Sequence, residues 1–146
     1  MTALYIVLIV AAIIIVLYFL AIMPRFGHQK ERKQFSDVYY AHRGLHDNLT
    51  QAPENSLAAF KKAVAAGYGI ELDVQLTKDR VPVVFHDFTL QRICGKEGKV
   101  CDYNWEELKK FKLCESEETI PRMEEVLKAI GGKVPLIIEY KVEWMD

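Results

Sequence analysis

The hydrophobic pattern divides the chain in two. From Ala3 to Met23 the residues are apolar without interruption, with only Tyr5 and Tyr18 carrying a polar side-chain atom, and every charged residue lies after Pro24. At about 1.5 Å per residue a helix of that length spans roughly 31 Å, the thickness of a bilayer's hydrocarbon core. A core helix of a soluble domain is usually amphipathic, and this segment is apolar all round. A signal peptide needs a basic n-region and a small-residue cleavage site; "MT" and "AIMPRF" supply neither. Residues 3–23 are therefore expected to form a transmembrane helix. Arg25, Lys30, Arg32 and Lys33 follow it and no Lys or Arg precedes it. The positive-inside rule then expects a single-pass protein of the cell membrane with its C-terminal domain in the cytoplasm.

Residues 24–37 read as a polar juxtamembrane linker. Beyond it the period changes. "DVYYAHRG" is a short β-like run ending in Gly, and "NSLAAFKKAVAAG" is helical, with Leu57, Phe60 and Val64 on one face and Gly67 as its stop. "GIELDVQL" alternates strictly as a strand does, and "VPVVFHD" is another strand with Pro82 at its start. "NWEELKKF" predicts a short helix with Asn104 and Glu107 in capping-box spacing. "IPRMEEVLKAIGG" predicts a helix closed by Gly131, and "VPLIIEYK" a fourth strand. Strands alternating with helices imply a parallel sheet covered on both sides. "GKEGK" is a turn-rich loop without P-loop spacing.

Composition narrows the function. The chain has a net charge of −1 and no basic stripe, which argues against a nucleic-acid partner. Three cysteines, Cys94, Cys101 and Cys114, are an odd number without zinc-site spacing and read as free thiols. Asn48-Leu49-Thr50 forms a sequon that matters only in a lumen, and residues 48–51 read as plain loop; His46 is given no role.

Ionisable residues gather at the strand ends: His42 and Arg43 on the first strand, Glu71 and Asp73 late in the second, His86 and Asp87 on the third, Glu139 and Lys141 on the fourth. In parallel α/β folds those ends are where ligands bind. Taken singly, each is an ordinary solvated or structural residue; together, at four strand ends, they describe a site. Period-two geometry turns Glu71 and Asp73 to one face, and likewise Glu139 and Lys141, with Leu72 and Tyr140 pointing oppositely toward covering helices. Three converging carboxylates repel one another, and a hard divalent cation, Mg²⁺ or Ca²⁺ with Mn²⁺ also compatible, relieves that repulsion. Arg43 and Lys141 beside it suit phosphate oxygens, and two His suit a general base and a general acid acting on a phosphoester.

"AHRG", "APENS", "IELDVQLTKDRVPVVFHD" and "LIIEYK", between Tyr39 and Lys141, resemble glycerophosphodiester phosphodiesterases. The resemblance implies a TIM (β/α)8-type barrel with its site at the C-terminal face, and metal-dependent hydrolysis of glycerophosphodiesters to glycerol 3-phosphate and an alcohol, a reaction of lipid metabolism. It implies His42 and His86 as the acid–base pair and Arg43 as phosphate ligand. Glu71, Asp73 and Glu139 become the metal ligands. Glu54 and Asn55 support the site or the substrate, and Lys141 stabilises the phosphate. Tyr140 stands where the family pattern has an Ile-like residue. A barrel needs eight strands and about 250 residues. Residues 38–146 have room for four strands, so the sequence is expected to hold only the first half of the barrel. Two alternatives follow: an inactive, truncated, membrane-tethered remnant, or a lysophospholipase D acting on lysophospholipids at the bilayer.

Overall fold

The computed structural model describes residues 2–23 and 29–142. They fall into two compact units divided after Ser36. In the first, helix α1 covers Thr2–Ile22, and none of its residues is buried. It is long and apolar enough to cross a membrane. The expected linker contains helix α2, Gln29–Ser36. Its remaining part at residues 24–28, with Arg25, lies outside the described residues, as do residues 143–146 of the expected barrel segment.

The second unit carries a sheet of four strands: β1 (Tyr40–His42), β2 (Gly69–Leu76), β3 (Pro82–Val84) and β4 (Leu136–Tyr140). β2 is central. β1 pairs with it in parallel, His42 opposite Glu71, and β4 pairs in parallel along its other edge, Asp73 opposite Glu139. β3 departs from the expected all-parallel sheet, because it is antiparallel to β2, with Val74 opposite Val84. The connection explains why. Only five residues, 77–81, join the two strands, too few for the crossover that parallel pairing requires. A turn around Asp79 closes them instead: the Thr77 hydroxyl donates to Asp79 and accepts from the Val81 N–H.

Helices α3 (Leu57–Ala65) and α6 (Met123–Ile130) cover one face of the sheet. Ser56 caps α3, its hydroxyl accepting from the Ala59 N–H, and Gly131 ends α6 in the left-handed conformation. Ile70, Leu72 and Val74 alternate along β2 into a core with Phe60, Ala63, Val126 and Ile130. A second core lies beneath the segment after β3. There Val83 and Phe85 meet Leu90, Ile93, Val100, Leu108, Leu113 and Ile120. Two short helices, α4 (Gln91–Cys94) and α5 (Trp105–Leu108), and a 3-10 turn at Val100–Asp102 build that segment. The Asn104 N–H donates to the Glu107 carboxylate, half of the expected capping box.

Tyr140 is not covered as expected. It is 56% exposed, and Ile138 on the same face of β4 is 49% exposed. α3 and α6 pack over the β2 side of the sheet, and Leu136 is the β4 residue that reaches their core.

Candidate active site

The same alternation that sends Leu72 into the core turns Glu71, Asp73 and Gln75 to the opposite face of β2. Asp73 is fully buried, and the Glu71 side chain is 15% exposed. Glu139 arrives from the neighbouring strand in register with Asp73. One carboxylate oxygen from each of Glu71, Asp73 and Glu139 lies within 4.8 Å of the others. Lys141 extends just past β4, its N–H held by the Val74 carbonyl at 2.9 Å. Its ammonium is 2.6 Å from Glu139 Oε1 and 3.4 Å from Asp73 Oδ1. The hydrogen bond from Lys141 holds the Glu139 carboxyl below its usual range. Burial works against the charge of Lys141, but Glu139 and Asp73 outweigh it, and the net shift is upward.

The donor set fits a hard cation. Three oxygens at this spacing match bond lengths of about 2.0–2.6 Å to Mg²⁺ or Ca²⁺. Asn55 Oδ1, buried at the cluster, has no hydrogen-bond donor among the described residues, and buried Asp73 Oδ1 has only the Lys141 ammonium at 3.4 Å. Such poorly satisfied acceptors are costly unless a cation or water satisfies them.

The loop after β1 is shaped to reach this cluster. Arg43 and Asn55 both adopt left-handed backbone conformations, φ 58° and 57°. Strain of this kind in non-glycine residues collects at functional sites. The Arg43 N–H donates to both the backbone and the side chain of Glu71, and the Asn55 N–H donates to the Arg43 carbonyl. Asn55 Nδ2 donates to Asp73 Oδ2 at 3.0 Å. Arg43 places its guanidinium between Glu54, 2.8 Å away, and Asp73, 3.6 Å away. His42, at the end of β1, is 68% exposed with Nε2 3.8 Å from Glu71. Glu71, Asp73, Glu139, Lys141, Arg43, Asn55 and His42 are thus linked by direct contacts. Glu54 touches them only through Arg43.

His86 reaches the same rim by an unexpected route. It follows the antiparallel strand β3, and the Phe85 N–H bonds to the Asp73 carbonyl. Buried Gln75 holds the turn, its Nε2 donating to the carbonyls of Phe85, His86 and Asp87 at 2.8–3.2 Å. His86 Nδ1 lies 2.7 Å from Asp87 Oδ1. Hydrogen bonds from Arg92 depress the Asp87 carboxyl below its usual range, with His86 adding to the effect.

Three participants are not legible in the sequence as members of the site. Arg92 grips both Glu54 and Asp87. Asn48, expected to be plain loop, accepts from the Glu54 N–H and donates to its carboxylate, both at 2.8 Å. Gln75 resembles any other alternating strand residue. The period-two pattern that places Asp73 in the site places Gln75 on the same face, and that is the available signal. Arg92 and Asn48 come from stretches where no periodicity reports direction.

Solved structures with the same architecture confirm the barrel. An Oleispira antarctica phosphodiesterase, solved in complex with the product sn-glycerol-3-phosphate, aligns with a TM-score of 0.66 at 33% identity, covering 75% of this chain and 46% of that one. A glycerophosphoryl diester phosphodiesterase from Parabacteroides distasonis aligns with a TM-score of 0.66 at 36% identity, covering 77% and 42%. The parallel strands β1, β2 and β4 therefore belong to a TIM (β/α)8-type fold, with an acidic cluster at their C-terminal ends, and the antiparallel β3 is an addition to it. The model of the glycerophosphoryl diester phosphodiesterase family matches residues 42–146, and the chain belongs to that family. A glycerophosphodiester phosphodiesterase of Caldanaerobacter subterraneus is 49% identical over 109 residues, covering 69% of this chain and 44% of the relative. A lysophospholipase D of Mus musculus is 36% identical over 133 residues, covering 82% and 41%. The chain spans less than half the length of these relatives.

Proposed function

We propose that this protein contributes the metal-binding and acid–base half of a glycerophosphodiester phosphodiesterase site. The observation that carries the reading is the carboxylate triad Glu71, Asp73 and Glu139, gathered within 4.8 Å beside Arg43 and Lys141. These three carboxylates would hold the divalent cation, Mg²⁺, Ca²⁺ or Mn²⁺. When bound, it supplies Lewis-acid stabilisation of phosphate charge. Arg43 and Lys141 orient the phosphodiester and balance charge growing on its oxygens. Of His42 and His86, one ring accepts the proton of the attacking oxygen and the other donates a proton to the departing alcohol. Asn55 holds Asp73, and Glu54 holds Arg43. The products are glycerol 3-phosphate and an alcohol.

The second reading, a lysophospholipase D, draws on the murine relative and on a cavity of about 280 Å³ beside Lys141. Leu76, Phe88, Tyr140 and Val142 give it an apolar lining suited to part of an acyl chain. Helix α1 in this reading anchors the protein in the cell membrane by a single pass, with the domain on the cytoplasmic side, close to lipid substrate. Protease protection in sealed vesicles tests that orientation: cleavage of the domain by external protease only in inside-out vesicles supports it.

The deciding experiment uses the full chain in detergent. Mn²⁺ binding followed by calorimetry should be lost, by about 100-fold in affinity or more, in Asp73→Asn. Phosphorus NMR should show glycerol 3-phosphate from glycerophosphocholine, and lysophosphatidic acid from lysophosphatidylcholine if the second reading holds. His86→Ala should slow turnover about 10²- to 10⁴-fold with metal binding intact. Metal binding without hydrolysis of either substrate selects an inactive remnant.

A further inference from the structure

Arg92 makes four hydrogen bonds at the rim of this site, yet among the described contacts it touches neither the carboxylate triad nor the His42 ring. Its Nε and NH2 donate to the two oxygens of Asp87 at 2.6 and 2.8 Å, and its NH1 and NH2 donate to the two oxygens of Glu54 at 2.9 and 2.7 Å. One planar guanidinium thus binds two carboxylates in bidentate fashion, which an ammonium group has no geometry to do. The two carboxylates come from different loops, one beside Asn55 and the other beside His86.

The consequence lies at His86. Asp87 Oδ1 accepts from Arg92 NH2 and stands 2.7 Å from His86 Nδ1. An ionised carboxylate is an acceptor only, so the proton in that contact belongs to Nδ1 and the lone pair to Nε2. With both Asp87 oxygens gripped by Arg92, the carboxylate has no freedom to rotate away from the ring. We infer that Arg92 is a positioning residue. It pins the His86 loop to the Glu54 loop and, through Asp87, keeps His86 in the Nδ1–H tautomer with Nε2 free to exchange a proton with substrate. The catalytic consequence rests on the phosphodiesterase reading; the tautomer does not.

The fold separates this role from a purely structural one. Gln75 holds the backbone of residues 85–87 independently of Arg92. Glu54 keeps Arg43 and Asn48 as partners when Arg92 is removed. Loss of the guanidinium therefore frees the Asp87 side chain without detaching the strand.

Arg92→Gln and Arg92→Lys test the inference in the full, ¹⁵N-labelled chain in detergent. Two-bond proton–nitrogen correlations report the tautomer of the neutral ring, with His86 assigned by its loss in His86→Gln. The wild type should show Nδ1 protonated. Both variants should show a several-fold rise in the Nε2–H form, which an unrestrained histidine side chain in water prefers, with unchanged far-ultraviolet circular dichroism. With glycerophosphocholine, kcat should fall about tenfold to 100-fold while KM stays within about threefold, Lys rescuing little. A wild-type ring protonated on Nε2 overturns the inference. So does a variant that keeps the Nδ1–H form, whatever its activity. If Gln unfolds the chain, the Lys variant, which retains the charge, decides between these outcomes. A wild type that hydrolyses nothing refutes the phosphodiesterase reading and leaves the tautomer result standing on its own.

Discussion

At the scale of single residues, environment sets what each ionisable group can do. Glu54 is 5% exposed, and burial alone would raise its carboxyl. Hydrogen bonds from Arg92, Asn48 and Arg43 more than offset that and hold it at about 2, below its ordinary 4.5. A carboxyl depressed by folding contributes stability that is present above the unfolded value and lost as pH falls through the folded one. The window here runs from 4.5 down to about 2. Glu54→Gln should cost about 3 kcal/mol at neutral pH and flatten the acid limb of a denaturant-unfolding series, because the variant has no proton to take up. The cysteines differ in the same environmental way. Burial, with Cys114 nearby, pushes the Cys94 thiol up to about 12, whereas Cys101 is exposed. Iodoacetamide at pH 8 should therefore modify Cys101 first and reach Cys94 only on unfolding, as peptide mapping by mass spectrometry will show.

At the scale of elements, helices and strands form where periodicity puts them, and the deviations occur at connections. α3, α6, β2 and β4 follow from strict patterns plus Ser56 and Gly131 as boundaries. The direction of β3 does not follow from its own residues. "VPVV" reads as a strand whichever way it pairs, and it is the five-residue connection that makes it antiparallel. α4 leaves no mark in the hydrophobic pattern, because four residues are too short to show a helical period. The loop after β1 turns on Gly44, at φ 83°. A Cβ there would lie 2.9 Å from the Ala59 Cβ and 3.0 Å from Phe60 Cδ1. Gly44→Ala should lower stability by about 1–3 kcal/mol, measured as a drop in Tm, by straining the backbone and pushing α3 away from the site. Ser56→Ala should cost about 1 kcal/mol through loss of the α3 cap, with smaller effect on metal binding.

At the scale of the whole molecule, β4 is the exposed side of the sheet. Among the described residues no strand pairs with its outer edge, and Ile137, Ile138 and Tyr140 are each about half exposed. An apolar edge strand of this kind is a template for association. A version lacking residues 1–36 should self-associate in sedimentation velocity at micromolar concentration, and Ile138→Lys should shift it toward monomer with little change in Tm. The other whole-chain feature is α1. Alkaline carbonate should leave the full chain with the membrane fraction and release a version lacking residues 2–23, if the helix spans the bilayer as proposed.

What the amino-acid sequence determined on its own is whatever depends on neighbours along the chain: the apolar span, the helix boundaries, and the placement of Glu71 with Asp73 and of Glu139 with Lys141 on shared strand faces. Period and capping are local physics, so a sequence carries them openly. Only the tertiary structure decided which faces meet. It set Glu139 in register with Asp73, brought His86 back along an antiparallel strand, and joined Glu54 to Asp87 through Arg92, 38 and 5 residues away in sequence. Those contacts are made across loops and hydrogen-bond partners that have no period. They exist because carboxylates at the mouth of the sheet must find donors, and Glu54 takes part of its set from Arg92, a residue distant in the chain.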